Sequence, residues 1–409
     1  MKKWKRMALL LLGAVLAGWL VNGLIPGEQV EGYEPKRESW VGAWAAAHQY
    51  PSGAAQVGVE NQTVRLLLRP HLDGDKVRIR LSNAYGEKPV TFKEVTIAVA
   101  GEGASLIPGT TRKVTFSGKR SVMLPVGQEI QSDPISMKVS RDENLAVSLY
   151  VPKASGAVSW HRVAKQTSYI SIPGNHSRET NATSFVTPIT SWFWLSGVDV
   201  IPVDETENAV VAIGDSITDG VGSTTNTNRR YPDFLSERLR ARGIPLSVLN
   251  AGISGNKVLR DDPVYGPKAL DRFEQDVLNQ PGVSHVILLE GINDIGHTPH
   301  NYDAQSIIRG YRQLIDMAHQ NDVRIYLGTL LPYKGATYYT KEGEATRRQV
   351  NEWIRNSGAP DGVIDFERAI RDPADPNRLR PAYDSGDHLH PSDAGYRTMA
   401  DVVNLNWFQ

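Results

Sequence analysis

The apolar run Val210–Ile213 ends on Gly214-Asp215-Ser216, a turn-former, a carboxylate and a hydroxyl in succession. Near the other end of the chain, DSGDHLHPSDAGY places Asp387 three residues before His390. A serine hydroxyl attacks poorly unless a base takes its proton, and histidine titrates near neutral pH. A carboxylate on the other ring nitrogen fixes the tautomer and stabilises the imidazolium. A spacing of three in a tight turn lets Asp387 reach the imidazole that faces Ser216. These residues point to nucleophilic catalysis with Ser216 as nucleophile, His390 as base and Asp387 as orienter.

Such chemistry passes through a tetrahedral intermediate, whose oxyanion needs preorganised donors. Two further strand-like runs end in candidates: LNAGISGN carries Gly252 and Asn256, and LLEGINDIG carries Asn293 and Asp294. The backbone N–H groups of Ser216 and Gly252 and the side-chain amide of Asn293 are the expected oxyanion donors. A glycine suits that role because it lets backbone approach substrate closely. Asp215 is expected to bond local backbone rather than react. Taken singly, Gly252 reads as a turn glycine, Asn293-Asp294 as a helix cap and Asp387/His390 as a surface pair. Their joint placement at strand ends, where open α/β sheets bind ligands, favours one site.

Other assignments compete. His388 lies two residues before His390 and faces the other way on an extended segment. His297 could line the pocket or be solvated. Asp384, Asp387, His388 and His390 could hold a divalent ion, but that leaves Ser216, Gly252 and Asn293 without a role, so no metal and no cofactor is expected. Tyr338 and Tyr339 are either a wall over the site or part of a surface loop.

The elements that position these residues fall into two textures. From Trp40 to about Val200, short runs such as VRIRLSNAYG, VTFKEVTIAVA and NLAVSLYVP alternate or are separated by Gly-, Pro- and Asp-rich turns. This predicts a β-sandwich over 39–200. After the acidic VDETEN, the runs AVVAIG, LSVLNAG, SHVILLEG, VRIYLGTLLP and GVIDF are nearly all apolar. Helices are expected between them at 232–242, 303–320 and 344–356. That predicts an α/β domain over 205–409 with a parallel sheet covered on both faces. Trp160, Trp192 and Trp194 could stack on sugars, although core or interface packing is the commoner use of tryptophan.

The 409 residues balance 45 Lys and Arg against 45 Asp and Glu, giving no basic excess to recruit nucleic acid. With no cysteine, thiol nucleophiles, disulfides and zinc–thiolate sites are excluded. The start MKKWKR precedes the apolar stretch Met7–Ile25, in which Asn22 is the only clearly polar side chain. That order predicts a signal peptide or membrane anchor over 1–27, a tether over 28–38, and a secreted or extracytoplasmic protein. The sequons at Asn61, Asn175 and Asn181 matter only in a glycosylating pathway.

The blocks GDSIT, NAGISGN, GIND and DHLHP resemble, in order, the four sequence blocks of the SGNH (GDSL) hydrolase superfamily. Ile217 stands where the name motif has Leu. The resemblance spans about residues 208–405, and Trp40–Ile170 is more loosely similar to the all-β domain preceding the hydrolase in some bacterial members. It implies a flavodoxin-like three-layer fold and metal-independent ester hydrolysis through an acyl-serine. The expected activity is a serine esterase on small-molecule or polysaccharide acyl esters, with short acyl groups favoured. The alternatives are an O-acetyltransferase using the same acyl-serine, a lipase or arylesterase, and a binding protein with an inert site.

Overall fold

Alternation builds the first half of the chain. Val77, Ile79 and Leu81 point inward and are fully buried. Between them, Arg78 and Arg80 each donate from Nε to Asp199 across the strand pair, at 2.9 and 3.2 Å. The computed structural model describes residues 39–203 and 208–409. The expected leader or anchor, the tether and linker residues 204–207 lie outside them. The principal strands here are β1 (Val41–Ala45), β2 (Gln62–Leu68), β3 (Gly74–Ser82), β4 (Glu94–Val99), β5 (Leu145–Val151) and β6 (Leu195–Pro202). One sheet runs β1-β6-β3, with Glu129–Gln131 and Ile135–Val139 both pairing with β3. The other centres on β2-β5-β4. Apolar residues of both sheets join one continuous core.

The second half has five parallel strands: β7 (Asn208–Gly214), β8 (Leu246–Gly252), β9 (Val283–Leu289), β10 (Arg324–Gly328) and β11 (Gly362–Ile364). Their order, β8-β7-β9-β10-β11, is that of flavodoxin-like sheets, with β7 between the strands that follow it. Val210–Ile213 is buried on every residue, as a sheet covered on both faces requires. The helices used below are α1 (Ser216–Asp219), α2 (Tyr231–Ala241), α3 (Ile292–Gly296), α4 (Ala304–His319), α5 (Lys341–Asn356) and α6 (Asp393–Asp401). In α4 the apolar series Ile307, Ile308, Tyr311, Leu314, Ile315 and Ala318 is buried, and Asp303 caps the start by accepting from Gln305 N–H at 3.0 Å. Helix α5 starts three residues before the expected 344 because Thr340 caps it, accepting from Gly343 N–H at 2.9 Å.

The strand-rich region and the parallel-sheet region share one compact unit, Glu38–Gln409. At Gly42 a Cβ would stand 2.8 Å from Leu249 Cδ1, so the missing side chain lets β1 lie against β8 without displacing that leucine. The same residue donates its N–H to Pro281 O at 2.9 Å. Arg80 reaches Gln280 at 2.7 Å, and His71 bridges Val248 O at 2.6 Å and Asp233 at 3.1 Å. Trp160, Trp192 and Trp194 are interior. Trp192 donates to Leu67 O at 2.8 Å and packs edge-on against Trp44. These rings offer no open face to a sugar, which removes the aromatic argument for carbohydrate recognition by this region. Among the described residues, no helix is long and apolar enough to cross a membrane.

Candidate active site

Register brings the pieces to one edge. Gly214 pairs with Gly252 on one side and with Leu289 on the other, so the three strands end level. Ser216 follows two residues beyond Gly214 and opens α1. A helix of four residues cannot hold itself together by its own hydrogen bonds. Its ends are therefore fixed by neighbours: Asp215 Oδ1 accepts from Ile217 N–H at 2.9 Å, and Gly220, at φ +101°, donates its N–H to Ser216 O. Asp215 thus serves the backbone, as expected. Burial pushes its carboxyl up to about 7 despite the Ile217 N–H that favours the charge.

The 384–390 loop is built by two aspartates. Asp384 accepts from the N–H groups of Gly386 and His388 and pairs with the His388 ring at 2.6 Å. Asp387 Oδ1 accepts from Leu389 N–H at 3.0 Å and His390 N–H at 2.8 Å, while its Oδ2 lies 2.6 Å from His390 Nδ1. His390 Nε2 then lies 2.7 Å from Ser216 Oγ. A proton on Nδ1, facing the carboxylate, leaves Nε2 free to accept from the serine hydroxyl. Burial works against the Asp387 charge, but the hydrogen bonds from the ring and backbone of His390 outweigh it and hold the carboxyl well below the usual range. The four side chains of the metal reading therefore form two separate pairs, and His388 is turned away from Ser216.

The expected donor at Gly252 needs correction. Its N–H is spent on Asn250 Oδ1 at 2.9 Å. A Cβ there would stand 2.3 Å from Asp219 N and 2.8 Å from Thr218 C, so the glycine makes room for α1 rather than for substrate. The available backbone donor is three residues further on. Gly255 has φ +86°, its N–H meets no acceptor among the described residues, and the Tyr265 ring occupies the place of a Cβ. Only a glycine adopts this turn beside that ring. The signal was present in GISGN, but periodicity and composition do not say which of two glycines three apart keeps a free N–H.

Asn293 lies in the first turn of α3, and its amide is oriented from both ends. Nδ2 donates to Asn256 O at 3.0 Å, and Oδ1 accepts from Tyr338 OH at 3.3 Å. One amide hydrogen stays uncommitted beside the 253–256 turn. The adjacent Asp294 accepts from Val258 and Leu259 N–H at 2.8 and 3.0 Å, and burial raises its carboxyl to about 6. Tyr338 forms part of a wall: Tyr265, His297 and Tyr338 follow one another with ring centroids 5.0 and 5.4 Å apart, the first pair tilted and the second edge-on. Tyr339 packs instead on Tyr333.

One supporting residue was not legible beforehand. Arg272, fully buried, donates to Gly214 O at 3.0 Å, Ala251 O at 2.7 Å and Asn256 Oδ1 at 2.8 Å, and pairs with Asp276 at 3.0 Å. It ties the ends of β7 and β8 to the turn that follows β8. Nothing in the surrounding sequence marks it out from other helical arginines.

A serine, a histidine and a carboxylate in hydrogen-bonded line at the C-terminal edge of a 2-1-3-4-5 sheet have the arrangement of a serine hydrolase. Residues 212–398 match the GDSL-like Lipase/Acylhydrolase family, and a domain of that kind over this segment marks the protein as a carboxylic ester hydrolase. No curated protein matches the chain. Among solved structures, a GDSL-like lipase from Bacteroides thetaiotaomicron is 21% identical, with 48% of this chain and 85% of that one covered and a TM-score of 0.37. A catalytic mutant of an acetylxylan esterase from Geobacillus stearothermophilus is 24% identical (49% and 94% covered, TM-score 0.38). The M. smegmatis aryl esterase is 16% identical (47% and 95% covered, TM-score 0.40).

Proposed function

We propose that the protein hydrolyses carboxylic esters of short acyl groups through an acyl-Ser216 intermediate. The observation that carries this reading is the Ser216–His390–Asp387 line, at 2.7 and 2.6 Å. Ser216 Oγ attacks the ester carbonyl while His390 Nε2 takes its proton, and Asp387 stabilises the imidazolium. The oxyanion is held by the N–H groups of Ser216 and Gly255 and by Asn293 Nδ2. His390 returns the proton to the departing alcohol. Water, activated by the same imidazole, then attacks the acyl carbon and releases the acid and Ser216.

The rings of Tyr265 and Tyr338 crowd the glycines at 255 and 296, which supports a small acyl group over a long chain. The basic residues ahead of Met7–Ile25 support a place outside the cytoplasm. Hydrolysis of p-nitrophenyl acetate, butyrate and octanoate by the wild type and Ser216→Ala tests the reading. Acetate should be preferred to octanoate, and the substitution should lower kcat by at least about 10³-fold with folding intact. A folded wild type that turns over none of these esters, or an active Ser216→Ala, would overturn it.

A further inference from the structure

The turn that carries Gly255 is gripped from the strand-rich half of the chain. His161 and Arg162, at the end of the short strand Trp160–His161, approach it on two sides. His161 and Asp219 are both buried and lie 3.0 Å apart. The His161 nitrogens face Ala47 O at 2.9 Å on one side, and Val163 O and Asp219 on the other. Every one of these neighbours is an acceptor, so both ring nitrogens carry protons and the ring is an imidazolium. Asp219 in turn accepts from Ser254 N–H at 2.9 Å and from the Ser254 hydroxyl. On the other side, Arg162 Nη2 donates to Ser254 O at 3.4 Å, with its guanidinium carbon 5.3 Å above the Tyr265 ring. Arg162 has no carboxylate in ion-pairing range among the described residues, and its Nε is buried without an acceptor. A half-buried cation whose Nε meets no acceptor carries a cost to stability, which suggests a use elsewhere.

Ser254 C=O and Gly255 N–H belong to the same peptide unit. In a trans peptide they point in opposite directions. We propose that Arg162 is a positioning residue for the oxyanion donor: by holding Ser254 O it turns Gly255 N–H toward Ser216, and by polarising that peptide it strengthens the N–H as a donor. His161, through Asp219, holds the N-terminal side of the same residue, so the two grips fix Ser254 on either side of its Cα. Hydrogen bonds in a chain reinforce one another, and a cation at the carbonyl end favours the charge that develops at the N–H end. The strand-rich region then completes the active site of the other half. This inference rests on the acyl-serine reading above.

Arg162→Met removes the charge and keeps the length; Arg162→Lys restores a cation. Initial rates with p-nitrophenyl acetate, normalised to sites titrated by a fluorophosphonate, count only folded enzyme. Arg162→Met should lower kcat by about 10- to 100-fold, up to the loss of one oxyanion donor, with KM within about twofold. The rate of phosphonylation, whose P=O oxygen occupies the same hole, should fall in parallel, and Arg162→Lys should recover part of both. Unchanged kcat and phosphonylation in Arg162→Met, or a raised KM at constant kcat, would overturn the positioning role. Should Arg162→Met not fold, Arg162→Gln takes its place: wild-type kcat and phosphonylation without the charge would overturn the role. Mass analysis of the labelled wild type separates the two readings. Label absent from Ser216 defeats the acyl-serine reading itself, whereas label on Ser216 with no effect at Arg162 defeats only this one.

Discussion

Gly252 and Gly255, three residues apart at the edge of the parallel sheet, do different work. Gly252 donates within its own strand to Asn250 and lets α1 approach, while Gly255 presents an uncommitted N–H beside Asn293. Gly252→Ala separates spacing from donation, since alanine keeps the N–H. Its Cβ would meet backbone of Thr218 and Asp219, which cannot swing aside as a flexible side chain could. The strain should cost about 1–3 kcal/mol, seen as a lowered Tm, and should lower kcat by shifting Ser216. A variant with wild-type Tm and kcat would show that Gly252 has no spacing role.

At the scale of elements, α1 is held by what flanks it, and Asp215 does so at an electrostatic cost. Its folded pKa of about 7 lies above the ordinary carboxylate value, so the folded state binds more protons than the unfolded one between the two. Stability from this group is therefore greatest at acid pH and is lost as pH rises toward 7, with a slope of up to ~1.4 kcal/mol per pH unit. Asp215→Asn retains a capping oxygen for Ile217 N–H and removes the titration. Thermal unfolding from pH 5 to 8 should show the variant gaining on the wild type as pH rises. Parallel Tm curves would mean that Asp215 does not titrate in that window. The parallel strands, the helix over 304–319 and the Asp-x-x-His loop were legible because burial periodicity and turn chemistry are local. Helix α5 gained its first turn from a Thr340 cap that apolar periodicity alone does not register.

On the scale of the whole molecule, the two textures of the chain form one compact unit, not a catalytic body with an appended module. With Trp353→Phe and Trp407→Phe in place, Trp40, Trp44, Trp160, Trp192 and Trp194 leave emission reporting on the strand-rich half, and ester hydrolysis reports on the parallel sheet. Because β1 packs on β8 and the buried His161–Asp219 pair joins the two halves, urea should shift tryptophan emission and abolish activity at one midpoint. Two separated midpoints would show the halves to be independent.

The order of chemistry along the chain was determined by sequence alone. Ser216, Asn293, Asp387 and His390 each sit in a short segment whose residue types and spacing already limit what they can do, and the strands before them are written in uninterrupted apolar runs. Only tertiary structure decided which glycine keeps its N–H, that Arg272 ties the ends of β7 and β8 together, and that Arg162 and His161 grip a turn distant from them in the chain. The difference is physical. A nucleophile, a base and a periodic strand are properties of neighbouring residues, whereas an unspent hydrogen-bond donor is defined by every group that folding brings near it.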